Sequence, residues 1–200
     1  MDGSQDTPRP WPLVESEPGP ELMVARARFD VLENPRTGQR MRRMVLETAD
    51  WVNVVALTPE RRVVCVRQFR FGTSSVTTEI PGGVVDPGED PLAAARRELR
   101  EETGHTSEHW SHIGTVEPNP AFHDNLCHTF LARGAVETEP LDLDPGEDIA
   151  VSLLSLDEVR RRIASGGIRH TLVVSALCRV LDLRDPALDL TGPPHDHPEG

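Results

Sequence analysis

Three glutamates stand close together in the segment Arg-Glu-Leu-Arg-Glu-Glu, which occupies residues 97–102. If this segment is helical, Glu98, Glu101 and Glu102 fall within an arc of roughly 100° on one side of the helix. Carboxylates so close together repel one another unless a cation lies between them, and such hard oxygen ligands suit Mg²⁺ or Mn²⁺. Arg97 precedes Glu101 by four residues and can pair with its carboxylate. The spacing of this segment taken alone also fits an ordinary solvated helix.

The elements that would position these carboxylates can be predicted from their flanking residues. Asp90 is a favourable N-cap, Pro91 suits the first helical turn and Gly104 suits the position after the last turn, which predicts a helix from about Asp90 to Thr103. The apolar residues that would form its buried stripe are Leu92, Ala95 and Leu99. Ahead of the helix, Gly82 and Gly83 allow the backbone to approach a ligand closely, and Glu89 can brace the loop against the helix.

Together, this loop and helix resemble the Nudix box, written G-x5-E-x7-R-E-U-x-E-E-x-G-U with U aliphatic. The matching residues are Gly83, Glu89, Arg97, Glu98, Leu99, Glu101, Glu102 and Gly104. His105 departs from the pattern, at a position expected to pack the helix end. The resemblance implies an α/β fold, the Nudix-type α/β/α sandwich with a mixed sheet, plus a small N-terminal antiparallel sheet. It also implies hydrolysis of a nucleoside diphosphate linked to a further group.

By this resemblance, the ligands of Mg²⁺ or Mn²⁺ are the backbone carbonyl of Gly82 and the carboxylates of Glu98, Glu101, Glu102 and Glu147. Glu147 belongs to the acidic segment 144–149, which resembles the loop that carries the catalytic base in one branch of the family. It is the preferred base, with Glu101 and Glu102 as alternatives, and Arg97 supports the catalytic carboxylates.

Outside the box, the chain resembles the branch of ADP-ribose pyrophosphatases and nucleoside diphosphate sugar hydrolases. The resemblance covers residues 22–183 and includes the segments 66–70 and 117–125. The substrate-binding residues it implies are Trp51, Arg70, Arg43, Glu79, Pro120 and Asn125. Trp51 could stack on a nucleobase or lie in the core, and Arg70 could bind phosphate or the terminal ribose, or be a surface charge. His170 could face the site or cap the last helix.

The substrate remains open within this branch. The first hypothesis is metal-dependent hydrolysis of ADP-ribose to AMP and ribose 5-phosphate. The second is the same chemistry on other nucleoside diphosphate sugars, such as GDP-mannose or UDP-sugars. The third is a noncatalytic ADP-ribose sensor, against which the intact carboxylates of Glu98, Glu101 and Glu102 argue.

The rest of the chain suggests four parts. Residues 1–20 are proline-rich and predict a flexible arm, and residues 21–50 predict a β-hairpin with a turn at 34–38. Residues 51–184 form the predicted Nudix domain, and 185–200 a flexible tail. The hairpin resembles the element that this branch exchanges between subunits, so we expect a domain-swapped homodimer in which Arg42 and Arg43 reach the partner's site.

Composition restricts the partners. The formal net charge is −12, with 21 basic residues that are all arginine, which argues against binding to nucleic acid or to anionic membranes. No apolar run approaches the roughly 18 residues of a membrane span, and no signal peptide is apparent. The three cysteines, Cys65, Cys127 and Cys178, have no metal-site spacing. We expect a cytoplasmic protein in which Cys65 and Cys178 are buried.

Overall fold

The computed structural model describes residues 7–183. Its N-terminal part is a three-stranded antiparallel sheet in the order β1–β2–β3. The strands are β1 (Leu13–Glu21), β2 (Arg26–Glu33) and β3 (Arg40–Glu47). The hairpin expected at residues 21–50 is therefore present as β2 and β3, with a third strand paired along it.

The third strand corrects the expectation of a flexible arm at residues 1–20. Leu13–Glu21 pairs with β2 from Leu13↔Leu32 to Glu21↔Arg26, and β1 is an edge strand. Its prolines, Pro18 and Pro20, are tolerated because an edge strand leaves one side of its backbone unpaired. The first six residues of the predicted arm and the predicted tail at 185–200 lie outside the described residues.

The rest of the chain builds a seven-stranded mixed sheet with helices on both faces. After β3 come β4 (Trp51–Leu57), β5 (Arg62–Arg70), β6 (Ser75–Glu79), β7 (Gly82–Val84), α1 (Pro91–Thr103), β8 (His105–Thr106), β9 (His109–Val116), β10 (Cys127–Arg133), β11 (Val136–Glu137), β12 (Ile149–Ser155), α2 (Leu156–Ala164) and α3 (Thr171–Cys178). The strand order is β12–β5–β4–β10–β9, with β6 on β5 and β7 on β4. β4 and β10 are parallel and the other pairs are antiparallel, which confirms the predicted mixed sheet.

Two apolar cores lie on opposite faces of this sheet, because successive side chains of a strand point to opposite sides. On one face, Val52 and Val54 of β4 pack with Ala95 and Leu99 of α1. On the other, Val55 packs with residues of α2 and α3. Five successive residues of β4 are buried, as expected of a central strand covered by helices on both sides. This layering is the α/β/α sandwich that the sequence predicts.

Several local expectations differ from the structure. The apolar run from Thr171 to Leu183 predicts a helix of that length. The helix ends at Cys178 instead, and Nη1 of the next residue, Arg179, donates to the Ile113 carbonyl at 3.0 Å. The prediction that Cys178 is buried is wrong, because its side chain lies on the exposed side of this short helix, whereas Cys65 is buried as expected. Among residues 7–183, no helix is long and apolar enough to cross a membrane.

The N-terminal sheet joins the larger sheet at one point, the loop between β9 and β10. The backbone of Leu46, near the end of β3, pairs with that loop, and its N–H donates to the Phe122 carbonyl at 2.7 Å. Elsewhere the sheet leaves large apolar side chains in solvent. The exposed ones are Trp11, Leu13, Val14, Leu22, Met23, Val24 and Met44. Such a cluster on a sheet with few contacts to its own domain is typical of a surface that meets another protein.

Candidate functional site

The helix α1 begins and ends where its capping residues predict. Asp90 lies in an extended conformation, and its Oδ1 accepts hydrogen bonds from the backbone N–H groups of Leu92 and Ala93 at 3.0 and 3.3 Å. Gly104 follows the last turn with φ +67°, a left-handed conformation that favours glycine. These caps set the phase of the helix, and with it the direction of each glutamate on its surface.

Two of these glutamates point toward the core beneath Gly82 and Gly83, the first two residues of β7 (the Gly82–Gly83 segment). Glu102 is 2% exposed, and its Oε2 accepts a hydrogen bond from the Gly82 N–H at 3.0 Å. Glu98 lies so close to Gly83 that a β-carbon there would overlap its carboxylate group. A β-carbon at Gly82 would likewise overlap the Val52 carbonyl oxygen. The two glycines therefore allow the backbone of the Gly82–Gly83 segment to approach the carboxylates closely, and the sequence predicted such a close approach.

Arg97 joins the loop before α1 to the helix. Its Nε and Nη2 donate to the two oxygens of Glu89 at 3.1 and 3.0 Å, and Nη2 also donates to the Val84 carbonyl at 3.0 Å. Its Nη1 donates to Glu98 at 2.7 Å and to Glu101 at 3.2 Å. These carboxylates raise the pKa of the guanidinium above its ordinary value, although partial burial opposes this effect. The predicted pair between Arg97 and Glu101 is present, and Glu89 braces the loop as expected.

The charge of this cluster is incompletely balanced. Burial, together with the charges of Glu98 and Glu147, raises the pKa of Glu102 to about 8, although the hydrogen bond from Gly82 lowers it. Burial also raises the pKa of Glu98, while its pair with Arg97 lowers it. Buried carboxylate oxygens without a matching cation are the donor set that a hard divalent cation stabilises.

As they stand, these side chains are not gathered around one point. Among residues 7–183, no three His, Cys, Asp or Glu side chains are close enough to hold a metal ion together. Glu101 instead places its two oxygens on Arg97 and Arg100, at 3.2 and 2.7 Å. Glu147 lies exposed on the loop before β12, where its own Oε2 accepts from the Asp144 N–H at 3.0 Å.

A cleft of about 660 Å³ opens beside the Gly82–Gly83 segment of β7. It lies where β4 and β5 separate, since these strands pair only at Leu57↔Val63. One wall consists of β4 and β7, with Trp51 and Asn53 on β4. The other wall consists of the end of β5, the turn after it, β6 and residues 169–172 at the start of α3.

Glu79 is the centre of the second wall. It is 3% exposed, and its carboxylate accepts hydrogen bonds from Arg70 Nε and Nη2, both at 2.8 Å. Its Oε1 also accepts from the Thr77 hydroxyl at 2.5 Å, and its Oε2 lies 3.0 Å from Nδ1 of His170. The hydrogen bonds hold the pKa of Glu79 well below its usual value although burial raises it. Glu79 therefore remains ionised, and both of its oxygens are engaged by the protein.

The cleft brings together some of the predicted substrate-binding residues. Trp51, Arg70, Glu79 and Gly82 line it, and His170 joins them as the alternative to a capping role, since its side chain makes no capping bond to α3. Both oxygens of the Glu79 carboxylate accept hydrogen bonds from the protein. Its direct contact with a ligand stays a prediction, and its partners Arg70 and His170 line the same wall.

The other predicted substrate-binding residues do not line the cleft of a single chain. Arg43 lies exposed on β3 and donates to the Arg42 carbonyl and the Met41 sulfur. Pro120 is exposed in the loop between β9 and β10. Asn125 is 3% exposed and donates to the Ala49 carbonyl at 3.0 Å, so its amide fastens that loop to the start of β4.

Asn53 and Arg169 are two of the cleft-lining residues that were not predicted as site residues. Asn53 is 8% exposed, lies between Val52 and Val54 on β4, and its Nδ2 finds no hydrogen-bond partner among the described residues. An asparagine in the middle of an otherwise apolar strand is the sequence signal that could have identified it. Arg169 lines the cleft from the segment before α3, where a lone arginine in a loop gives no such signal.

Comparison with known proteins agrees with this arrangement. Residues 48–172 match the NUDIX domain family. The chain is 33% identical over 155 residues to a methanol dehydrogenase activator of Bacillus methanolicus, covering 77% of this chain and 83% of the relative. It is 33% identical over 129 residues to an ADP-ribose pyrophosphatase of Bacillus subtilis (strain 168), covering 64% and 70%.

The fold also has a solved counterpart. The crystal structure of an ADP compounds hydrolase superposes with a TM-score of 0.76 at 20% sequence identity, covering 88% of this chain and 94% of that one. The family match covers the sheet, the helix with its carboxylates and the cleft. The chain therefore belongs to the Nudix hydrolases, in the branch of ADP-ribose pyrophosphatases and nucleoside diphosphate sugar hydrolases.

Proposed function

We propose that this protein hydrolyses the diphosphate bond of ADP-ribose, which yields AMP and ribose 5-phosphate. The observation that carries the proposal is the position of the cleft. Its walls present an indole ring at Trp51 and a guanidinium at Arg70. Its floor is the Gly82–Gly83 segment of β7, which contacts the buried carboxylates of Glu98 and Glu102. An aromatic face suits a nucleobase, and a guanidinium suits diphosphate oxygens.

The name of the Bacillus subtilis relative, an ADP-ribose pyrophosphatase, supports ADP-ribose as the substrate. In our proposal, Trp51 stacks on the base and Arg70 binds the diphosphate. Arg70 is preorganised for this role, because Glu79 holds its guanidinium by two hydrogen bonds. A held guanidinium loses less side-chain entropy on binding than a free one.

Nudix hydrolases use divalent metal ions, and the donor set fits Mg²⁺ or Mn²⁺. The Gly82 carbonyl, Glu98, Glu101, Glu102 and Glu147 would hold it, and when bound it would neutralise phosphate charge and favour ionisation of water. The raised pKa values of Glu98 and Glu102 support this assignment, because burial makes their charged forms costly and a bound cation would offset that cost.

The remaining chemistry requires a base and a water molecule. Water attacks one phosphorus, its proton passes to a carboxylate, and the P–O bond to the other phosphate breaks. We assign the base to Glu147, because within residues 7–183 no arginine forms an ion pair with it. Glu101, in contrast, is bound by Arg97 and Arg100, and Glu102 is buried. The charge of Glu147 acts on Glu98, Glu102 and Arg70, so the acidic loop lies within electrostatic reach of the site.

A product assay tests the proposal. ADP-ribose, GDP-mannose and UDP-glucose are each incubated with and without Mg²⁺, and the products are separated by chromatography. We expect AMP from ADP-ribose to form fastest and only with the metal. A faster reaction of another sugar nucleotide would make the protein a broader hydrolase in which Trp51 stacks on any base, and no turnover of any of them would favour the sensor.

We also propose that the protein is a domain-swapped homodimer, in which Arg42 and Arg43 approach the cleft of the partner subunit. Support comes from the exposed apolar side chains of the N-terminal sheet and from the short join between that sheet and its own domain. Size-exclusion chromatography with light scattering should give twice the 22.1 kDa chain mass. A clean monomer at micromolar concentration would refute the dimer.

A further inference from the structure

The second wall of the cleft contains a polar network that extends beyond the diphosphate contact proposed for Arg70. Glu79 binds Arg70 from β5 on one side and His170, 91 residues later in the chain, on the other. Arg70, Glu79 and His170 all line the cleft, but Glu79 is only 3% exposed, whereas the side chains of Arg70 and His170 are 43% and 40% exposed. One buried carboxylate thus joins two cleft-lining donors that come from distant parts of the chain.

The position of His170 indicates that its ring is not needed for the helix it precedes. As the N-cap residue of α3 it makes no side-chain capping bond, and its Nδ1 is directed to Glu79 instead. A carboxylate at Nδ1 fixes the ring orientation and the position of one proton. Among residues 7–183, no protein group is bonded to Nε2, so this atom is left for a ligand in the cleft.

Burying Glu79 has a free-energy cost that structure alone does not require. A buried ion pair is often no more stabilising than apolar residues of similar volume. The cost is offset here by three donor residues, Arg70, Thr77 and His170, and all three line the cleft. The arrangement is therefore better explained by ligand binding than by stability of β6.

We propose that Glu79 is a positioning residue that holds Arg70 and His170 as one unit, and that His170 contacts the sugar of the substrate through Nε2. This inference rests on the proposed function. With the nucleobase on Trp51 and the diphosphate above the Gly82–Gly83 segment, the sugar on the far side of the diphosphate extends to the second wall. Hydroxyl groups of a sugar match that wall, which also carries Thr73, Thr77 and Arg169.

The experiment compares His170→Ala, Glu79→Gln and the double variant in steady-state hydrolysis of whichever sugar nucleotide the wild type cleaves fastest. A contact made equally in the ground state and the transition state affects KM and leaves kcat unchanged. We expect His170→Ala to raise KM about fivefold to tenfold with kcat within about twofold of wild type. Glu79→Gln should raise KM at least as much, since it also releases Arg70.

The double variant distinguishes positioning from independent effects. If Glu79 acts through His170, the double variant should resemble Glu79→Gln within about twofold, because coupled residues are not additive. His170→Gln retains a side-chain donor and should recover part of the loss in KM. His109→Ala removes an exposed histidine of β9, and Glu158→Gln weakens a glutamate–arginine pair on α2, and both should leave KM unchanged.

Two results would overturn the inference while the proposed function stands. One is an unchanged KM in His170→Ala, which decides the matter even if Glu79→Gln does not fold. The other is full additivity of the two single losses. A wild-type protein that hydrolyses none of the three sugar nucleotides overturns the proposed function, and the inference falls with it.

Discussion

The Gly82 N–H donates to Glu102 Oε2 at 3.0 Å, across 20 residues of sequence. This bond connects the start of β7 to the last turn of α1. It is the only protein hydrogen bond to the Glu102 carboxylate within residues 7–183. A buried carboxylate with one donor is costly in the free protein. A divalent cation bound as proposed would supply the missing charge, so Glu102 would couple metal binding to stability.

Replacing Glu102 by glutamine should separate these two effects. Because the pKa of Glu102 is raised in the folded protein, burying this carboxyl costs free energy at neutral pH. An uncharged glutamine avoids that cost, so the metal-free Glu102→Gln protein should melt at a higher temperature than wild type. Activity should fall by about 100-fold or more, as expected when transition-state charge stabilisation is lost. Differential scanning fluorimetry in EDTA and a product assay in Mg²⁺ measure the two. The exposed Glu108→Gln should change neither, and full turnover by Glu102→Gln would show that the metal site lies elsewhere.

Removing divalent ions should abolish hydrolysis and lower stability. A ligand that binds only the folded state stabilises it by about 2.7 kcal/mol at 100 times its dissociation constant. We therefore expect Mg²⁺ or Mn²⁺ to raise the melting temperature of wild type in a concentration-dependent way, and to raise that of Glu98→Gln much less. Equal stabilisation of both proteins would mean that the ions bind away from α1.

Gly83→Ala should disturb the site without disturbing the core. A β-carbon at this position would overlap the Glu98 carboxylate, so either the side chain of Glu98 or the backbone of β7 at Gly83 must move. We expect a loss of at least about 10-fold in kcat/KM, because catalysis is sensitive to displacements near 1 Å. Gly167→Ala is the matched control, since its new β-carbon would meet Arg162 only at ordinary contact distances. Wild-type activity in Gly83→Ala would refute the close approach.

Arg97→Ala should destabilise the loop and the helix together. Arg97 binds the carboxylates of Glu89, Glu98 and Glu101, which would lose their shared cation. Its partial exposure reduces the cost below that of a fully buried pair, so we expect about 1–3 kcal/mol from urea unfolding. Arg97→Lys should recover only part of this, since a lysine cannot reproduce the planar fork of donors. Equal stability of Arg97→Lys and wild type would contradict a role for the fork.

Glu147→Gln tests the assignment of the base. A general base contributes roughly 100-fold to 10,000-fold, so kcat should fall by such a factor while KM stays near that of wild type. The neighbouring Asp148→Asn is a matched control on the same exposed loop and should keep wild-type kcat. If Glu147→Gln retains its kcat, the base is Glu101 or Glu102 instead.

Much of this site was predictable because it is local in sequence. The caps Asp90 and Gly104 and the spacing of Glu98, Glu101 and Glu102 depend on contacts within one helix and the loop before it. The pair between Arg97 and Glu101 follows from helical periodicity in the same way. The alternation of apolar residues also predicted the hairpin at residues 21–50. The strand at Leu13–Glu21 was missed because its prolines argue for a loop unless the strand lies at a sheet edge.

The tertiary structure decided the rest, because those contacts join segments far apart in the chain. No local pattern indicates that Glu79 meets His170 or that Asn125 bonds to Ala49. These neighbours follow from how β4 and β5 separate and how α3 packs on the sheet, which the two apolar cores determine. The sequence by itself determined the helix that carries the carboxylates and the reaction class it implies. Packing decided the shape of the cleft and which side chains face it.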